Sequence, residues 1–263
     1  MAFYRHLAAR CEDDARGSQG GPGFEAELVA FLPRFRGVCT HEGLDYLKLG
    51  NVCAGYAKPC QMDVKLGVVT YPRGASEKKI RAETASWPPQ ATLGFRFCGL
   101  ETYDVAANTF EYRTRRALRS HNEEAVPAIF ADFVGLSRPD PPGHRGYARG
   151  VAGRLAERLR GVVRWFEAQT CYGFTASSAL LVYEGHPAGA ARGGQAGLVG
   201  LAEPAVVLID FAHVAYDTGE HDTNVLVGLR TLVNMFQQLA DEEERGAGAD
   251  GTSGQSVRRE EKS

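Results

Sequence analysis

From Pro59 to Gly67 the chain reads Pro-Cys-Gln-Met-Asp-Val-Lys-Leu-Gly, an order of side chains that few folds can accept. Apolar Met62, Val64 and Leu66 alternate with Asp63 and Lys65, the period-two pattern of a strand. Side chains two apart in a strand share a face, so Asp63 and Lys65 project into the same cleft. Charges on a largely buried strand cost on the order of 2–5 kcal/mol when left without a partner, so they are paired or bind a ligand. Downstream, Val206-Val207-Leu208-Ile209 drives a second carboxylate, Asp210, to the end of an apolar run, followed by Phe211, Ala212 and His213. The simplest explanation of both segments is one site for a polyanion and a metal ion.

At 263 residues the chain can bury a full core, as one large domain or two lobes. Its net charge of −2 gives no global pull toward nucleic acid or an anionic membrane, so any basic function is local and no nucleic-acid partner is expected. No apolar run approaches the length of a membrane span, and the first residues lack the basic-then-apolar order of a signal peptide. The six cysteines are scattered without C-x-x-C spacing. That pattern argues for free thiols in a reducing compartment, the cytoplasm or nucleus, and against a disulfide framework or a zinc site.

Short helices are expected over 2–12 and 25–32, separated by a glycine-rich loop from Gly17 to Gly23. Strands are expected at 44–49 and 62–69 around a polar loop at 51–58. Ser76 caps a helix that stops before Pro88-Pro89. Residues 95–103 and 109–113 read as a hairpin turning at Ala106-Ala107-Asn108. Helices follow at 122–133 and 150–169, with a Pro/Gly loop at 139–146 between them. The second helix carries an apolar stripe of Val151, Leu155, Leu159, Val162, Val163 and Phe166. Strand-length runs at 179–183 and 205–209 flank a Gly/Ala loop from 185 to 200, and a last helix covers 223–239. Beyond Asp241 the composition is that of a disordered tail. The order gives an α+β class, a mixed sheet with helices gathering toward the C-terminal half.

Three ordered segments carry a resemblance. Pro59-x-x-x-Asp63-x-Lys65-x-Gly67 resembles the signature of the inositol polyphosphate kinase family, Ser177-Ser178-Ala179-Leu180-Leu181 its Ser-Ser-Leu-Leu block, and Ile209-Asp210-Phe211 its Ile-Asp-Phe block. Weaker likeness covers most of residues 2–240, and Ala179 stands where the family usually has leucine. Val182-Tyr183-Glu184-Gly185 and Phe211-Ala212-His213-Val214 look most like the multikinase branch. The hexakisphosphate kinase branch shares Ala-His, and the trisphosphate 3-kinase branch usually has Gly-Lys there. The implied fold is a two-lobed relative of the protein kinases with a shortened N-lobe. Its expected divisions are a reduced N-terminal lobe and hinge over 1–52, a catalytic and inositol phosphate-binding lobe over 53–240, and a tail over 241–263. Ala2-Phe3-Tyr4-Arg5-x-Leu7 resembles the start of the family's N-lobe helix. The strands, ATP-covering loop and lysine that family members carry ahead of it have no counterpart here, which implies weak ATP binding in either a reduced lobe or an incomplete gene product.

The resemblance implies ATP and Mg²⁺ as cofactors and inositol tris- and tetrakisphosphates as acceptors, with phosphoinositide headgroups as a further class. Phosphoryl transfer needs phosphates held in line and their charge neutralised. Lys65 suits the transferring phosphate or those of the acceptor, and Asp63 orients Lys65 and contacts the nucleotide ribose or the acceptor hydroxyl. Asp210 suits Mg²⁺, which prefers one or two carboxylates plus phosphate oxygens; Ser178 matches a family position close to that metal. Taken singly, Asp63–Lys65 also fits a structural ion pair and Asp210 a cap. Lys79 and Arg81 fall on the helix where the family places substrate contacts, but two residues apart on a helix do not share a face. His213 is spaced to reach a phosphate. Arg116 matches the arginine of the family's Gly-Arg-Ser-Leu, with Arg115 in place of glycine. Gly50 and Val52 match the hinge whose backbone meets adenine. Rival expectations are a hexakisphosphate kinase making diphosphates and a catalytically weak inositol phosphate-binding pseudokinase.

Overall fold

The structure is a computed structural model that describes residues 2–17, 24–137, 144–186 and 202–242. Two helices, α1 (Ala2–Gly17) and α2 (Phe24–Val29), lead into a hairpin of β1 (Phe35–His41) and β2 (Leu44–Leu49). After a 3-10 turn at Val52–Gly55 come β3 (Pro59–Leu66), α3 (Glu77–Ala85), α4 (Gln90–Leu93), β4 (Phe95–Asp104), β5 (Thr109–Thr114) and α5 (Arg115–Leu118). The remainder is α6 (Val126–Phe133), α7 (His144–Ala168), β6 (Tyr172–Thr175), β7 (Ser178–Glu184), β8 (Ala205–Ile209), β9 (His213–Tyr216) and α8 (Thr223–Asp241).

The centre is a five-stranded sheet in the order β5-β4-β3-β7-β8, antiparallel throughout. Alternation on β3 decides its two faces. Cys60, Met62, Val64 and Leu66 are fully buried, whereas Gln61, Asp63 and Lys65 are half-buried. The apolar face packs on α8, with α6 and α7 completing the layer over β4 and β8. Phe95, Phe97, Phe130 and Phe236 form a chain of ring contacts through that layer, with centroids 5.2–5.8 Å apart from pair to pair. Helix α8 reaches the sheet because two glycines meet: a Cβ on Gly228 would lie 2.1 Å from the Gly94 carbonyl oxygen. The same carbonyl accepts the Gly67 N–H at 2.7 Å, so the end of the signature strand is fixed by that contact.

Helices α1 and α2 pack on the C-terminal half of the chain. Phe3 meets Phe174 and Phe211, and Phe24 stacks on Trp165 of α7 at 4.8 Å. The β1–β2 hairpin is a separate two-stranded sheet with Leu44, Tyr46 and Leu49 exposed, and β6–β9 is another. Among the described residues no helix is long and apolar enough to cross a membrane.

Strands β2 and β8 and the start of α8 fall where the sequence places them. Strand β3 begins and ends three residues earlier than expected, because Pro59 and Cys60 pair with Glu184 and Tyr183, and Gly67 turns the chain at φ 107°. The expected helix at 122–133 is split, since Pro127 lacks an N–H and sits in the first turn of α6; a 3-10 turn at Glu123–Ala125 precedes it. Helix α7 starts six residues before Gly150, α1 runs on to Gly17, and α2 stops at Val29. Strands β1, β6 and β9 are not legible in the sequence: β1 is irregular between Phe35 and Val38, with Gly37 at φ 105°, and the other two are four residues each. The glycines at 18–23, residues 139–143, most of the 185–200 loop and the tail from 243 lie outside the described residues.

Candidate active site

The half-buried face of the sheet assembles the site row by row. Asp63 sits opposite Gly99 on β4 and Leu180 on β7. Lys65, one pleat further, sits opposite Arg96 and Ser178, and Ser178 lies opposite Ile209 on β8. The next residue, Asp210, leaves the strand at φ 67°, a left-handed conformation that costs a non-glycine residue energy and that Asp tolerates better than most. Phe211 follows and is wedged between Phe3 at 4.3 Å, Phe174 at 5.7 Å and Tyr4 at 5.9 Å. Side-chain packing from α1 and β6 thus holds the turn that presents Asp210.

Burial raises the Asp63 carboxyl above its ordinary range, and the charge of Asp210 adds to this. The Ser178 hydroxyl, Lys65 and Arg119 oppose the rise. Asp63 Oδ1 and Ser178 Oγ are both buried, and neither completes a hydrogen bond with good geometry, although the hydroxyl is near enough to favour the ionised acid. Buried oxygens without donors, beside a second carboxylate, are an electron-rich arrangement that a hard cation would complete. Among the described residues no cluster of three or more His, Cys, Asp or Glu could hold a metal by itself. The donor set fits Mg²⁺, which keeps waters and phosphate oxygens in most of its positions. Asp210 and Ser178 would hold it on the protein side.

At the other end of the face, Gly50 donates its N–H to the Arg34 carbonyl at 2.7 Å. Val52 opens the 3-10 turn, so its N–H has no partner within that turn. Asn51 caps the turn by accepting from Cys53 N at 2.9 Å. Between this turn and Asp63 lies Gln61, which donates to Glu101 at 2.6 Å and faces the Cys53 thiol at 3.6 Å. Glu184 fixes the approach to β3 by accepting from Ala57 N at 2.6 Å and Lys58 N at 2.9 Å.

Asp63, Lys65, Ser178 and Asp210 are therefore brought together, whereas Lys79, Arg81 and His213 are exposed. Lys79 lies in the first turn of α3, whose cap Ser76 accepts from its backbone N–H at 3.3 Å. Arg81 spends its guanidinium on Glu77 at 3.2 Å in an exposed i,i+4 pair. His213 opens β9 opposite Thr175. Nothing in the sequence points to Tyr4, whose hydroxyl is pushed up to about 12 by burial and by the charge of Asp210. Nor does local pattern reveal Arg96, opposite Lys65 in the ladder and paired with Glu83 at 2.5 Å, or Arg119 beside Asp63.

Two carboxylates and a lysine gathered on one face of the sheet are the working parts of a phosphotransferase. Comparison with known proteins agrees. Residues 46–237 match the model of the inositol polyphosphate kinase family. Inositol polyphosphate multikinase alpha of Arabidopsis thaliana is 31% identical over 229 residues, 82% of this chain and 78% of that protein. The Homo sapiens inositol polyphosphate multikinase is 30% identical over 191 residues, 70% of this chain but 42% of that protein. A crystal structure of the S. cerevisiae inositol phosphate multikinase Ipk2 with ADP and Mn²⁺ shares the fold at a TM-score of 0.65 and 22% identity, covering 80% of this chain and 89% of that one. A further inositol phosphate multikinase structure gives 0.63 at 27% identity, over 86% and 96%. The chain belongs to the inositol polyphosphate kinase family.

Proposed function

We propose that this chain transfers the γ-phosphate of ATP to ring hydroxyls of inositol tris- and tetrakisphosphates. The observation that carries this is the placement of Asp63 and Lys65 side by side on the half-buried face, one strand away from Ser178 and next to Asp210. The Gly50 carbonyl and Val52 N–H offer an acceptor and a donor for the adenine edge. Bound Mg²⁺ would neutralise charge on the nucleotide phosphates. Asp63, half-buried, accepts from the ribose or from the acceptor hydroxyl and keeps Lys65 oriented. Lys65 supplies a compact charge to phosphate on the opposite side. Lys79, and His213 at the start of β9, are free to meet the outer phosphates of the acceptor, while Arg81 must first leave Glu77.

The Val-Tyr-Glu-Gly and Phe-Ala-His-Val endings support multikinase-type acceptors over the hexakisphosphate. Phosphoinositide headgroups present the same phosphates and hydroxyls and form a second acceptor class. Six cysteines outside any disulfide support a reducing compartment, the cytoplasm or nucleus. Incubation with ATP, Mg²⁺ and a panel of inositol phosphates, with products separated by charge, tests the assignment. Product from the tris- and tetrakisphosphate is expected. Diphosphate made mainly from the hexakisphosphate would move the chain to the other branch, and binding without turnover would make it a pseudokinase.

A further inference from the structure

The ladder between β3 and β4 breaks beside Asp63. Asp63 pairs with Gly99 and Val64 with Phe97, so Cys98 is an extra residue on β4, a bulge opposite the Asp63–Val64 peptide. A bulge bends its strand and re-aims the side chains around it, and it also leaves backbone groups outside the ladder. Here one side chain takes up that slack. Arg119, the residue that caps α5, donates Nε to the Phe97 carbonyl at 2.7 Å and turns Nη2 toward the Cys98 sulfur at 3.7 Å. Its remaining arm, Nη1, donates to Ser86 Oγ at 2.9 Å, and Ser86 is the C-cap of α3. A single planar guanidinium thereby joins both residues of the bulge to the end of the helix that carries Lys79.

We infer that Arg119 is a positioning residue: it fixes the bulge that aims Asp63 and holds α3 in register with it. The inference rests on the reading of Asp63 as a reacting-site residue. Three of its five N–H donors are held by the Phe97 carbonyl, Ser86 and Cys98, so its action reaches Asp63 through the bulge. The fork geometry matters, because the three contacts are made by three separate nitrogens of a planar group, which the single nitrogen of a lysine does not reproduce. A misplacement of about 1 Å at a reacting group costs about 10²-fold in rate.

Steady-state kinetics on folded protein, checked by melting curves, separate the possibilities. Arg119→Ala should lower kcat about 10²-fold with KM unchanged for ATP and acceptor. Arg119→Lys should do no better, and added guanidinium ion should restore part of the loss in Arg119→Ala. Ser86→Ala, at an exposed position, removes only the tie to α3 and should lower kcat to a lesser degree; it decides the matter if Arg119→Ala does not fold. In an Asp63→Asn background Arg119→Ala should have no further effect, since residues acting as a unit are non-additive. A rise in acceptor KM with kcat intact would make Arg119 a binding residue and overturn the inference. So would additive losses, or unchanged kcat in both Arg119→Ala and Ser86→Ala. Full turnover by Asp63→Asn would instead sink the parent reading of the site.

Discussion

Substituting Glu83 by Gln tests how α3 is held to the central sheet. Glu83 Oε2 meets Arg96 Nη2 at 2.5 Å, with side chains 28% and 7% exposed, and accepts from the Thr70 hydroxyl at 3.1 Å. Arg96 has little else: its Nη1 reaches Gln90 at 3.4 Å and the Glu83 carbonyl at 3.5 Å, and its buried Nε has no partner. Breaking a buried pair from one side costs about 3–5 kcal/mol, since the other charge stays behind. Glu83 is partly wet, so the lower end applies, about 3 kcal/mol. At about 2–4 °C per kcal/mol for a chain of this size, the melting temperature should fall about 6–12 °C. Adding Arg96→Met should recover most of this, because removing both charges is often close to neutral. Burial disfavours ionised Glu83, but the Arg96 hydrogen bond and charge, with the Thr70 hydroxyl, outweigh it and hold the carboxyl below its ordinary 4.5. A depressed folded pKa means stability present above 4.5 and lost as pH falls through the folded value. The gap between wild type and Glu83→Gln in denaturant unfolding should therefore close on acidification below that point. A gap under about 0.5 kcal/mol at neutral pH, the range of an ordinary surface change, would refute the pair's role. So would a gap that ignores pH.

Lys65→Ala and Asp210→Asn should each lower phosphoryl transfer on the order of 10²–10³-fold, as losses of charge contacts at a reacting centre do. Neither should lower the melting temperature of the ligand-free protein much, and near-wild-type turnover in both would place the active site elsewhere. Gly228→Ala gains about 1 kcal/mol of helix propensity but drives a Cβ to 2.1 Å from the Gly94 carbonyl, so α8 must move off the sheet. A net loss of about 1–3 kcal/mol is expected in urea unfolding, and a neutral or stabilised variant would show that the contact is slack.

Much of this molecule is legible where local pattern and tertiary role agree. The Asp63–Lys65 alternation survives folding because the apolar partners of each charge are the ones that α8 needs. Ala205–Ile209 is a strand in sequence and structure because nothing polar interrupts it. Ser178 and Asp210 are placed by likeness to a family, and the register explains why they meet Lys65: three consecutive strands bring positions 65, 178 and 209 into one row. What periodicity cannot reveal are long-range polar ties. Arg96 reads as a surface cation between Phe95 and Phe97, yet it is buried against a helix residue 13 positions earlier. Arg119 reads as one of several basic residues after β5, and only the bulge at Cys98 gives its guanidinium a carbonyl to bind. Strands β6 and β9 are too short to show a period and exist because each is the other's partner.

The proposed function gives Asp63 a part in moving a phosphate from ATP to an inositol phosphate. It is tested most directly by single-turnover transfer of radiolabelled γ-phosphate to an inositol trisphosphate, with wild type and Asp63→Asn compared at equal melting temperature. A labelled, more highly charged inositol phosphate is expected from the wild type, with a rate on the order of 10²–10³-fold lower from the variant. Equal rates from the two proteins, or no labelled inositol phosphate from either, would contradict it.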